Sequence, residues 1–165
     1  VGDWIWQDDV TGVEIFNEEG QLEEIVDIFI KDLKVGNSAQ TSMALGADYE
    51  VLEDLRLRAN WTYFSDLYAD FDPNDRLVTR NPDGGIDESG RMGQAWEVPA
   101  YSLVDFGLTY GFDFGGFDAV LNGNINNILD TTYVADARDS DGTAAGADVW
   151  YGFGRTFSFG LKLNF

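Results

Sequence analysis

The last nine residues, Phe157-Ser158-Phe159-Gly160-Leu161-Lys162-Leu163-Asn164-Phe165, constrain the fold more than any other stretch. Large apolar residues hold every second position, with Ser, Gly, Lys and Asn between them. Such a period of two marks a strand with one oily face and one polar face. Strict alternation closing on an aromatic is unusual at a soluble chain end, where fraying dominates. It suits a membrane-spanning β-barrel, whose strands need a lipid face outside and a wet face inside. The plain alternative is an edge strand of a soluble sandwich, which would bury Phe106, Phe157 and Phe159 against one another in a two-layer core.

Composition narrows the classes. Thirty Asp and Glu against ten Lys and Arg leave a net charge of −20, so no basic patch for nucleic acid is expected. The chain has no Cys and no His, which removes disulfides, thiolate sites and imidazole bases or ligands. No apolar run nears the roughly 18 residues of a transmembrane helix. A hydropathy profile would class the chain as soluble, but barrel strands average their two faces to nearly zero. Val1-Gly2-Asp3 shows neither Met nor a leader, so the expectation is a processed chain or a piece of a longer one.

Seven strand-like segments follow in order. Residues 3–16 are rich in β-formers but alternate poorly, and Asn17-Glu18-Glu19-Gly20 signals a tight turn into 21–31. Segment 39–50 sets Met43, Leu45 and Tyr49 against Ser42, Asp48 and Glu50. Segment 55–70 sets Leu55, Leu57, Trp61 and Tyr63 against Arg56, Arg58 and Asn60. After a polar loop at 71–98, segment 100–113 carries Val104, Phe106, Leu108, Tyr110 and Phe112 in one phase. Gly115-Gly116 is a hairpin turn. Segment 117–129 opposes Leu121 and Ile125 to Asn122, Asn124 and Asn126, and a loop at 130–148 leads to the last strand.

Short and long connections alternate along this series, as in outer-membrane barrels with short turns at the periplasmic rim and long loops outside. On that scheme 32–38, 71–98 and 130–148 face outward. Arg155 falls in the lipid-facing phase, yet a cation at the bilayer midplane costs about 2–4 kcal/mol. Counting back from Phe165 at roughly 3.3 Å per residue and about 45° of tilt places it some 23 Å higher, near the top of a ~25 Å apolar band. There it would join Trp150, Tyr151 and Phe153 in an outer-interface girdle. Phe157, Phe159, Leu161, Leu163 and Phe165 would touch lipid and carry the barrel-assembly signal. Arg56, Arg58, Asn122, Asn124 and Asn126 would face the lumen. An odd number of strands cannot close a single-chain bacterial barrel, and open edges in hydrocarbon are costly. The fold class expected is therefore all-β: an antiparallel up-and-down transmembrane β-barrel, of which residues 1–165 supply about seven C-terminal strands.

Three motifs carry a resemblance. Asn122-Gly123-Asn124-Ile125-Asn126-Asn127-Ile128-Leu129-Asp130-Thr131-Thr132-Tyr133 resembles the penultimate-strand motif of TonB-dependent outer-membrane receptors. The run Trp150 to Phe157 followed by Gly160 to Phe165 resembles that family's final strand, and Trp96-Glu97-Val98-Pro99-Ala100-Tyr101 resembles the run-up to the strand two before it. The likeness covers most of residues 39–165 and is greatest to receptors of the Bacteroidetes type of cell envelope. It implies a barrel of about 22 strands with a plugged lumen, in the cell outer membrane of a Gram-negative bacterium. The family imports scarce nutrients: siderophores, cobalamin, oligosaccharides or peptides. It also implies partners: outer-membrane lipid, the remainder of the barrel and its plug, and TonB through an N-terminal region. In the starch-utilisation type a surface lipoprotein lid is added.

Other chemistry is weak. Asn81-Pro82-Asp83-Gly84-Gly85-Ile86-Asp87-Glu88 departs from a calcium loop, with Gly85 at the fifth place and no flanking helices. Asp136, Asp139, Asp141 and Asp148 read as solvated acids. Neither a catalytic pair, a metal site nor a cofactor is expected, because thirty acids create accidental pairs. Arg56 and Arg58 could pair with a plug or with Asp48 and Glu50 on the neighbouring strand. Tyr68, Phe71, Trp96, Tyr101 and Trp150 could stack on a sugar or belong to the girdle. The rival from another class is a soluble all-β carbohydrate-binding or adhesion module.

Overall fold

A computed structural model describes residues 2–78 and 93–164. In chain order the strands are β1 (Val10–Phe16), β2 (Leu22–Ile28), β3 (Thr41–Leu52), β4 (Leu55–Ser65), β5 (Leu67–Tyr68) and β6 (Asp70–Phe71), then, after a 3-10 turn at Pro73–Arg76, β7 (Leu77–Val78), β8 (Glu97–Val98), β9 (Tyr101–Phe114), β10 (Phe117–Asn126), β11 (Val134–Asp139), β12 (Ala147–Tyr151) and β13 (Thr156–Asn164). The protein is all-β; among the described residues there is no α-helix. It divides into two compact units.

The sheet unit comprises 41–65, 99–134 and 151–165. It is one antiparallel sheet in the order β13-β10-β9-β4-β3. Two tight turns link strands at one rim. Gly115 and Gly116 both have positive φ (62° and 85°), which suits the right-handed twist of a two-residue hairpin. Asp54 takes φ 68° in the other turn, tolerated because Asp is among the residues enriched in the left-handed region. The two long connections leave from the opposite rim. Register is regular across the strands apart from a shift between Glu50 and Leu52 beside the β3–β4 turn: Ala47, Ala59, Phe106, Ile125 and Phe157 form one cross-sheet row, and Tyr49, Leu57, Leu108, Gly123 and Phe159 the next. The alternate rows are Asp48, Arg58, Gly107, Asn124, Ser158 and Glu50, Arg56, Thr109, Asn122, Gly160. Directly opposed side chains share a face, so the alternation written in each strand becomes two whole faces of opposite chemistry.

The loop unit comprises 1–40, 66–98 and 135–150. Here β1 and β2 form a bulged hairpin extended by β7, β5 pairs with β8, and β12-β11-β6 make a third small sheet. Ile30, Leu33, Phe71 and Ala95 form its core, with Ile28 and Tyr68 packed against it. Side chains of acids stitch the irregular backbone: Asp9 accepts from the N–H groups of Ile30 and Lys31 at 2.9 and 2.7 Å, and buried Asp27 accepts from that of Gly12. Gly36 lies against the Asp70 backbone, where a Cβ would sit 2.6 Å from Cα.

Several expectations are corrected. The seven segments do not form one sheet. β1 pairs with β2, and β2 with β7, so the 17–20 turn is no part of the five-stranded rim. Residues 3–9 contribute only the bridge Ile5–Lys34. Segment 55–70 breaks at Asp66, whose φ of 54° leaves the β region, and 117–129 ends at Asn126. The two long connections are not bare loops; they contain β5 to β8 and β11 to β12. β6 and β11 run parallel, against the antiparallel expectation. Arg155 lies outside β13, which begins at Thr156. The 81–88 loop and Phe165 fall outside the described residues.

Candidate functional site

The five-stranded sheet brings most of the singled-out residues onto its two faces. On the apolar face Phe157, Phe159 and Leu161 are 59%, 78% and 61% exposed, and Leu163, Met43, Leu45 and Tyr49 are exposed with them. Phe106 is half-buried. Among the described residues no two-layer core encloses these rings. The Phe159 ring lies over Gly123, filling the space that its opposite partner lacks. Trp61 and Tyr63 stack at 6.1 Å towards one end of this face, and Tyr110 and Phe112 at 5.5 Å towards the other. Fully burying one Leu, Phe or Met side chain is worth roughly 1.5–3 kcal/mol. Five of them left in water forgo on the order of 10 kcal/mol, as much as the net stability of a typical domain.

The opposite face gathers Arg56, Arg58, Asn122, Asn124 and Asn126. Arg58 is 3.1 Å from Asp48, and Arg56 is 3.3 Å from Asp48 and 3.7 Å from Glu50. Within the chain these arginines pair with the acids of the neighbouring strand. All four side chains are well exposed, so each pair contributes only about 0.2–1 kcal/mol. Thr109 and Asn122 hydrogen-bond at 3.0 Å, Asn124 and Ser158 at 3.4 Å, and Asn126 and Thr156 at 3.2 Å. A shallow hollow of about 360 Å³ opens beside Glu50, Arg56, Arg58 and Thr109.

At the rim where the long connections leave, the 122–133 motif acquires a physical meaning. Asn127 is buried with φ 51°. Its side chain accepts from the Thr131 N–H and donates to the carbonyls of Thr131 and Phe153, while its own N–H donates to Asp105. Asp130 (φ 57°) accepts from the Arg155 N–H at 2.8 Å and lies 3.4 Å from its guanidinium. That N–H, with the guanidinium behind it, holds the Asp130 carboxyl below its ordinary pKa. Arg155 thus finds an anion within the chain. Beside it Phe64, Tyr101 and Tyr133 form a ring ladder (5.2 and 4.4 Å), and Tyr133 packs on Gly152 so closely that a Cβ there would overlap the ring. Sequence reasoning missed the roles of Asn127 and Asp130. The available signal was that Asn and Asp are the residues most enriched at positive φ.

The expected girdle residues Trp150, Tyr151 and Phe153 are exposed, Phe153 at 86%. Phe71 is not available to a ligand: it is buried, met edge-on by Trp6 and covered by Arg76, whose guanidinium carbon is 4.8 Å from the ring centroid. In the loop unit a cleft of about 240 Å³ is lined by Asp72, Asp75, Asp139 and Asp148 with Arg138 and Ser140. Among the described residues no three acidic side chains converge closely enough to hold a metal ion. Asp139 is fully buried, accepting from the N–H groups of Trp96 and Gly142, with the Arg76 guanidinium 3.9 Å away. Burial pulls the Arg76 pKa down, against the support of Asp139 and Asp75. No family model, curated protein or solved structure matches this chain.

Proposed function

We propose that this chain is a C-terminal portion of the β-barrel of a TonB-dependent outer-membrane transporter, which imports a scarce nutrient across the outer membrane of a Gram-negative bacterium. One observation carries the reading: an apolar face spanning five strands in matched cross-strand rows, left exposed and backed by an equally continuous polar face. Lipid outside and a wet, polypeptide-sharing lumen inside satisfy both faces at once. The open edges of β3 and β13 would pair with the rest of the barrel, since unpaired backbone groups in hydrocarbon cost several kcal/mol each. The three motifs resembling the receptor family supply the transport function, with plug and TonB as partners. The aromatic pairs near both ends of the apolar face fit interfacial belts.

The chain itself contributes no Cys, so a single-cysteine scan of β13 can be made in full-length protein in membranes, with any cysteine outside these residues first replaced. Spin labels at 157, 159, 161 and 163 should be reached by oxygen dissolved in lipid, and those at 158, 160 and 162 by a water-soluble nickel chelate. A soluble all-β module predicts no such alternation, and a flat profile ends the membrane reading.

A further inference from the structure

The two long connections, β4 to β9 and β10 to β13, meet in the loop unit around one buried charge pair. Arg76 and Asp139 have side chains 1% and 0% exposed. From the first connection come Arg76 itself, the Gly93 carbonyl that accepts from it at 2.7 Å, the Trp96 N–H that donates to Asp139, and the Phe71 ring beneath the guanidinium. The second brings Asp139 and Gly142, whose N–H donates to the same carboxylate at 3.3 Å. Gly142, at φ 76°, packs on the Gln94 carbonyl, where a Cβ would lie 2.8 Å away. Outside this centre, contacts between the connections among the described residues include the two-residue parallel pairing of β6 with β11 and the exposed Asp72–Arg138 pair.

Among the described residues the pair is buried but incompletely satisfied. Its ionic contact is long, and Arg76 Nε and Nη2 have no hydrogen-bond partner among the described residues. A buried charge that loses its counter-charge is strongly destabilising, whereas a partly satisfied polar network gains least from staying closed. We propose that Arg76 and Asp139 form a latch that makes the two connections one moving part, opening together or not at all. Neither can leave alone without stranding the other's charge in an apolar setting that holds Phe71 and Ala95. The latch does not depend on what the whole protein does. It rests on the loop unit alone and fails separately from the membrane reading.

The test is hydrogen exchange on the full-length protein. Arg76→Met should accelerate amide exchange on the order of a hundredfold not only at 93–98 but also at 134–139, in the connection it does not belong to. Asp139→Asn should do the reciprocal, and the double variant should be little worse than the worse single one. Arg138→Met, which breaks the exposed pair between the same connections, should change exchange less than about fivefold. The proposal is overturned if acceleration stays within the substituted connection, if the two effects add, or if β9 and β10 accelerate equally, since the pair would then hold no local latch.

Discussion

The two units obey opposite rules for the same residue types. Of the eleven buried apolar residues among those described, ten lie in the loop unit and only Ala119 in the sheet. Charge runs the other way from intuition. The loop unit holds 22 acidic and six basic residues, net −16, and the sheet eight acidic and four basic, net −4. The more charged unit owns the core, and the nearly balanced one owns none. The loop unit keeps apolar groups inside and, Asp27 and Asp139 apart, exposes most of its acids. The sheet sends its apolar side chains outward, which is stable only where something other than water meets them. The two units thus differ in net charge as well as in where their apolar groups lie.

That contrast can be broken by substitution. Phe71→Ala should cost about 3–5 kcal/mol in any medium, because its cavity is lined by a packed core; denaturant unfolding of the loop unit reads it, and a loss under about 1 kcal/mol would deny that unit a core. Leu161→Arg should block membrane assembly, at about 2–4 kcal/mol, while the adjacent Lys162→Leu is tolerated; the fraction of protein recovered in outer membranes decides, and equal effects would erase the distinction between the faces. Gly152→Ala should displace Tyr133 from its stack on Tyr101 and cost about 1–3 kcal/mol by overpacking, seen as a lower unfolding midpoint.

Smaller effects sharpen the same picture. Arg58→Ala should cost only about 0.2–1 kcal/mol in thermal unfolding, because its pair with Asp48 is exposed. A loss several times larger would mean that the polar face is covered by a partner. Asp130 gives the pH dependence. Its folded pKa lies below its unfolded value, so its contribution is fully present above the ordinary carboxylate range and is lost as pH falls through the lowered value. Exchange of the Arg155 amide should therefore gain an acid-induced acceleration that Asp130→Asn removes, measurable by NMR on either side of that range.

Legibility followed the range of the interactions. β3, β4, β9, β10 and β13 could be read because period-two alternation is local and a strand translates it directly into faces. Met43, Phe157 and Asn124 could be assigned a face with no knowledge of their neighbours. The N-terminal segments could not be placed. Their alternation is poor, and the partner that completes their sheet, β7, is two residues long and nearly fifty residues downstream of β2. Phe71 looked like a surface aromatic because it stands beside Asp70 and Asp72. Its burial depends on Trp6, Ile30 and Ala95, all remote in sequence.

By itself the sequence determined which residues of each long strand share a face, where the tight turns fall, and that the chain itself carries no thiol or imidazole. These follow from backbone geometry and composition, which need no partner to act. Only the tertiary structure decided which strands pair, that the two long connections close around Arg76 and Asp139, and that Arg155 is answered by Asp130. Those outcomes depend on groups dozens of residues apart meeting at hydrogen-bond distance, and a charge carries no mark in the chain of which opposite charge will be buried with it.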